Sequence, residues 1–147
     1  MRTILLLLAI AFPLAAEIGP RSEEERKATA HVIATGTVQA VYSRTRALAD
    51  PAYENTLYVI EVAVGRVEKG EGVGALVYAR GWQISKRPEN WVGGSGHYFP
   101  GAAGKSRGTD LAQGDRVRLF LVRAQDGGLD LVLPNGLDLL PAVDGPK

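Results

Sequence analysis

Thr56-Leu-Tyr-Val-Ile-Glu-Val-Ala-Val-Gly-Arg-Val-Glu-Lys69 places Tyr58, Ile60, Val62 and Val64 on one face of an extended chain, and Glu61 and Gly65 on the other. Alternation with a period of two, carried largely by β-branched residues, marks a strand with one face inward. Gly70-Glu-Gly72 ends it. The segments on either side follow the same pattern. Upstream, His31 to Ser43 is rich in Val, Ile and Thr, with Gly36 in the middle as a bulge or bend. Arg44 to Asn55, containing Asp50-Pro51, reads as the loop between these two strands.

Downstream, Ala75 to Trp82 is a third strand and Arg116 to Ala124 a fourth, with Val117, Leu119 and Leu121 opposite Arg116, Arg118 and Phe120. Gln125-Asp-Gly-Gly128 is a hairpin turn. Leu129, Leu131 and Leu133 alternate with Asp130 and Val132 in a fifth strand, stopped by Pro134-Asn-Gly136. Leu137 to Leu140 is a short closing segment. Five strands, a bent first strand and a long insertion before the fourth predict an all-β chain: a small five-stranded OB-like barrel, in which curling removes bare edges. A β-sandwich usually needs seven or more strands, and too few are present. The expected core is Ile60, Val62, Val64, Val117, Leu119, Leu121, Leu129, Leu131 and Leu133.

Opening Ala34-Thr-Gly-Thr-Val38, the second strand ending in Val67-Glu-Lys-Gly70, Gly114-Asp-Arg-Val117 and Pro134-Asn-Gly136 together give residues 31–140 a resemblance. They resemble exported OB-fold domains of the netrin/TIMP-like kind, and small planctomycete-type exported proteins of unassigned function. The resemblance implies the fold and no catalytic motif. The metazoan modules are stapled by disulfides, whereas this chain has no cysteine, so inhibition of proteases is not implied.

Composition bounds the function. The 147 residues hold 17 Lys and Arg against 16 Asp and Glu, a net charge of +1. General nucleic-acid binding needs a clear basic excess, so no specific nucleic-acid partner is expected. Without cysteine there is no thiolate nucleophile, zinc–sulfur site or iron–sulfur cluster. At the N-terminus, Arg2, the apolar run Ile4 to Phe12, Pro13 and Leu14-Ala-Ala16 read as a signal peptide cut after residue 16. The apolar run falls short of the roughly 20 residues that span a membrane. The protein is thus expected to be exported, periplasmic or secreted, with no transmembrane segment after cleavage. Residues 17–30, with Glu23, Glu24, Glu25, Arg26 and Lys27, read as a charged flexible leader, although Ser22 and Glu25 fit a capping box. Residues 141–147 read as a loose tail.

Residues 81–114 hold the candidates for function. This glycine-rich loop carries Trp82, Trp91, His97, Tyr98 and Phe99, and long loops with aromatics are either binding faces or caps over a barrel end. Residues 76–123 hold eight basic residues against Glu89, Asp110 and Asp115. Basic groups interleaved with aromatics stack on rings and contact acidic groups. The candidate ligand-binding residues are therefore Trp82, Trp91, His97, Tyr98, Arg80 and Arg107. The expected partner is a protein, a peptide or an acidic polymer of the cell envelope, and no cofactor or metal is expected.

Two motif readings fail. Gly101-Ala-Ala-Gly-Lys-Ser106 lacks the first glycine of a phosphate loop, because Phe99 stands there. Gly94-Ser-Gly-His97 puts His97 where a nucleophile elbow needs glycine. His31 and His97 stand 66 positions apart with no metal-ligand spacing. Two alternatives to a binding module stay open: a hydrolase or metal-dependent enzyme using His97 with Asp110 or Glu89, and a structural envelope domain without a small ligand.

Overall fold

The computed structural model describes residues 19–89, 96–100 and 109–142. The elements are α1 (Glu23–Thr29), β1 (Val32–Ala47), β2 (Glu54–Lys69), β3 (Leu76–Lys86), β4 (Arg116–Arg123), β5 (Leu129–Leu131) and β6 (Leu137–Leu140). The signal-peptide reading and most of the tail lie outside the described residues. No helix among the described residues is long and apolar enough to cross a membrane.

β1 is long enough to serve two neighbours. Its first half pairs antiparallel with β4, from Val32 opposite Leu121 to Thr37 opposite Arg116. The whole strand pairs antiparallel with β2, with register shifts at Ile33/Ala34, Thr35/Gly36 and Val38/Ala40. Gly36 makes the bend possible, because a Cβ there would overlap the carbonyl of Ala63. β2 pairs with β3, and β4 with β5, both antiparallel. The ring closes through a parallel contact between β3 and β5, Ala79 with Leu129 and Arg80 with Asp130. The cyclic order β1-β2-β3-β5-β4 is that of an OB-like barrel, with β6 added along β4.

The interior is mainly as the alternation predicts. Ile60, Val62, Val117, Leu119, Leu121 and Leu131 are buried in one cluster with Val32, Val38, Tyr58 and Val77, and Val64 and Leu129 pack at its margin. Leu133 is a correction. It lies beyond the end of β5, half-buried, and lines a surface cleft instead.

Strand limits also differ from the sequence reading. β1 and β2 continue as a long hairpin, so the connecting loop shrinks to residues 48–53. Residues 81–86 extend β3 against the start of β2, so the 81–114 loop begins later than alternation indicates. The charged leader is corrected as well: residues 23–29 form a docked helix with both halves of the capping box in place. The Ser22 N–H donates to Glu25 Oε2 at 2.7 Å and the Glu25 N–H to Ser22 Oγ at 3.2 Å. What orders the helix is Phe120. On the outer side of β4, it forms a second core with Ala30, Ile33 and Val132. The guanidinium groups of Arg26 and Arg118 lie over its ring at 4.2 and 5.0 Å. Arg26 also pairs with Asp138 at 2.6 Å, and Arg118 with Glu23 at 2.9 Å.

Candidate functional site

The β3–β5 contact spans only two residue pairs, and β3 runs on past the end of β5. Residues 96–99 fill the gap. The His97 N–H donates to the Trp82 carbonyl at 2.7 Å, and the Tyr98 N–H to the Pro134 carbonyl at 2.6 Å. The Trp82 N–H donates back to His97 Nδ1 at 3.0 Å, and His97 Nε2 lies 2.9 Å from the Leu131 carbonyl. A ring nitrogen that accepts an N–H carries no proton, so the proton sits on Nε2 and is donated to Leu131. The Gln83 amide adds a bond to the His97 carbonyl at 3.1 Å. His97 is 4% exposed. Burial pushes its pKa below the ordinary value, against the opposing effect of the Leu131 and Trp82 bonds.

This geometry corrects the role expected of His97. Both ring nitrogens serve the backbone, which leaves neither to a ligand, a substrate proton or a metal. His31 is similarly engaged, its Nδ1 accepting the Arg123 N–H at 3.0 Å. Among the described residues no group of three or more His, Asp or Glu side chains is placed to hold a metal ion.

The loop's aromatics divide. Phe99 is buried, edge-on to Tyr58 with ring centroids 5.0 Å apart and stacked on His97 at 6.2 Å. This part of the loop is a plug. It needs Gly81, where a Cβ would lie 3.0 Å from Phe99 Cζ and 3.4 Å from His97 Cγ. Tyr98 is 41% exposed. Trp82 is half-buried on the outer side of β3, with its ring perpendicular to His97 at 6.2 Å. Trp91 and Arg107 lie outside the described residues.

Arg80 is held in ion pairs. Its guanidinium binds Asp126 through two bonds of 2.6 and 3.0 Å and Asp130 through one of 2.6 Å. Gly128 leaves room for it, since a Cβ there would lie 2.6 Å from the guanidinium carbon. The Asp126 carboxyl is held at about 2 by Arg80 and by the Gly128 N–H. Arg80 therefore fastens the β4–β5 turn to β3 and offers no unpaired cation to a ligand.

Beside this pair lies a cleft of about 530 Å³. Leu57, Val59 and Trp82 line it from β2 and β3, Val122, Val132 and Leu133 from β4 and the segment after β5, and Arg21, Arg80 and Asp130 supply polar groups. Register explains the assembly: Leu57 faces Trp82, Val59 faces Arg80, Arg80 faces Asp130, and Asp130 faces Val122. One outward row thus crosses four strands. Arg21 is fixed at the far end, its Nε donating to the Leu133 carbonyl at 2.7 Å and its N–H to Asn135 at 2.9 Å.

The sequence reading brought Trp82, Arg80 and His97 to this place but missed Leu57, Val59 and Leu133. A signal existed. Leu57-Tyr-Val-Ile60 is apolar on both faces of the strand, the mark of a segment covered on both sides.

No family model, curated protein or solved structure matches the chain.

Proposed function

We propose that this chain is an exported, non-enzymatic binding module whose ligand sits in the cleft between β2–β3 and β5. The observation that carries the reading is the outward apolar group of Leu57, Val59 and Trp82, which with Leu133 lines a cleft of about 530 Å³. That size falls in the range of ligand pockets, which are mainly apolar with a few polar groups to set orientation. A half-exposed tryptophan beside aliphatic side chains is the usual anchor point of a protein or peptide ligand. The ligand class is a protein or peptide segment of the envelope that inserts an apolar side chain. An acidic polymer is less well served, because Arg80 is neutralised by Asp126 and Asp130. Kinship with netrin/TIMP-like OB domains is part of the same proposal, supported by the cyclic strand order. Export rests on the Arg2, Ile4–Phe12 and Ala15-Ala16 pattern.

Nuclear magnetic resonance titration with short blocked peptides bearing a central Leu, Phe or Trp tests the site. The expected result is shifts at the Trp82 indole and the Leu57 and Leu133 methyls, lost in Leu57→Glu. Shifts clustered elsewhere, or none with any peptide, would overturn the reading.

A further inference from the structure

β4 leaves β1 after Thr37, and β1 continues for ten more residues beside β2 alone. Val38 is still covered on that side, since its N–H donates to the Asp115 carbonyl at 2.8 Å and its carbonyl accepts from Gly114 at 2.9 Å. Beyond it, from Gln39 to Ala47, no strand among the described residues pairs with this edge. Which groups it presents follows from the hairpin. The Leu48 N–H donates to the Tyr53 carbonyl at 3.1 Å, and hydrogen-bonded pairs alternate in an antiparallel ladder. The N–H and carbonyl groups of Val41, Ser43, Thr45 and Ala47 therefore point away from β2.

The side chains add a charge preference. Tyr42, Arg44 and Arg46 alternate on the outer face, opposite Val59, Leu57 and Asn55. The guanidinium groups of Arg44 and Arg46 are exposed and make no hydrogen bond or ion pair among the described residues. Most other described arginines are engaged, including Arg26 with Asp138, Arg80 with Asp126 and Arg118 with Glu23. The nearby Glu61 is taken by the Tyr42 hydroxyl, 3.2 Å away.

We propose that the Gln39–Ala47 edge of β1 receives an extended acidic segment of another protein, which adds a strand to the sheet with Asp or Glu at alternate positions. The main-chain groups give the added strand its ladder, and cross-strand pairing sets acids against Arg44 and Arg46. In one register the same geometry disfavours a second copy of this chain, and a copy in another register is an outcome that the test detects. An antiparallel copy centred on Thr45 would oppose Arg44 to Arg46 in both directions, and like charges directly opposite are unfavourable. The edge adjoins the cleft, since Arg44 and Tyr42 stand opposite Leu57 and Val59, but its unpaired main-chain groups face away from β2, and the inference does not rest on that proposal.

The test uses the isotope-labelled full chain and a blocked seven-residue peptide, Thr-Glu-Val-Glu-Val-Glu-Thr, with its Gln counterpart. Saturation with the Glu peptide is expected to slow amide exchange at Val41, Ser43, Thr45 and Ala47. Two cross-strand charge pairs are expected to make it bind about tenfold more tightly than the Gln peptide. That advantage should vanish in the Arg44→Gln/Arg46→Gln double variant and shrink at high salt. Equal affinity of the two peptides for the unaltered chain would overturn the proposal, since the arginines would then serve only to deter edge pairing. Sedimentation showing a dimer without peptide, or protection confined to the Leu57–Trp82 wall, would overturn it as well.

Discussion

Trp82 and His97 bind each other twice, the His97 N–H to the Trp82 carbonyl at 2.7 Å and the Trp82 N–H to His97 Nδ1 at 3.0 Å. With Nε2 on Leu131, the imidazole completes the seam that two β3–β5 residue pairs leave unfinished. His97→Ala should therefore cost about 2–4 kcal/mol, because it leaves the Trp82 N–H and the Leu131 carbonyl unpaired in a buried place. Urea unfolding measures this. A loss under about 0.5 kcal/mol, the range of ordinary surface changes, would show that the seam holds without the ring.

The same histidine predicts a pH dependence. Its folded pKa lies below the ordinary 6.5, so as pH falls past 6.5 the unfolded chain takes up a proton that the folded chain refuses. Stability is full above that point and declines below it, toward the folded value. His97→Gln should flatten the slope just below pH 6.5. A second decline belongs to Asp126 and Glu23, each held at about 2 by arginine or lysine partners. Their contribution is present above the ordinary carboxylate range and fades as pH drops toward 2. Unfolding midpoints from pH 8 to pH 2 separate the two windows.

Phe99 and Leu119 should report on the barrel interior. Both are fully or nearly fully buried in one cluster, so Phe99→Ala should cost about 3–5 kcal/mol and Leu119→Ala about 2–5 kcal/mol. Trp82→Ala should cost less, since that ring is half-buried on the outside. Thermal unfolding of the three variants gives the order, and a Trp82→Ala loss equal to that of Phe99→Ala would make Trp82 an interior anchor.

Two glycines of the β1–β2 pair should behave oppositely. Gly36→Ala drives a Cβ into the Ala63 carbonyl, whereas Gly65→Ala places one 3.7 Å from the Thr35 carbonyl, an ordinary contact. The first should abolish or severely weaken folding, and the second should be tolerated. Circular dichroism and unfolding midpoints decide it, and a stable Gly36→Ala variant would mean that the bend can move.

The barrel was legible because its interior is written in alternation: Ile60, Val62, Val117, Leu119 and Leu121 each need one neighbour on either side to be polar or outward. The helix was not, because five charged residues followed by Ala28 and Thr29 carry no apolar face. Its order depends on Phe120, nearly a hundred positions away, and on cations over that ring. Of the candidate site, Trp82 was visible as an aromatic near a loop, while the opposing wall was not. Leu133 reaches the cleft only because β5 stops at Leu131. His97 misled for a related reason: a histidine in a glycine-rich loop looks available until its neighbours in space are known.

The helix that begins the described chain is fastened to its end. Arg21 and Arg26 reach Leu133, Asn135 and Asp138, which stand 109 to 114 positions later. Seen as a sequence of events in synthesis, α1 is made well before the residues that seat it. Until residues 133–138 follow, Phe120 has only part of its cover, and the leading segment lacks the bonds of Arg21 and Arg26 to Leu133, Asn135 and Asp138. A chain arranged this way cannot complete itself from the front. Closure of the described fold therefore waits on residues 133–138, which hold Arg21 and Arg26 in place.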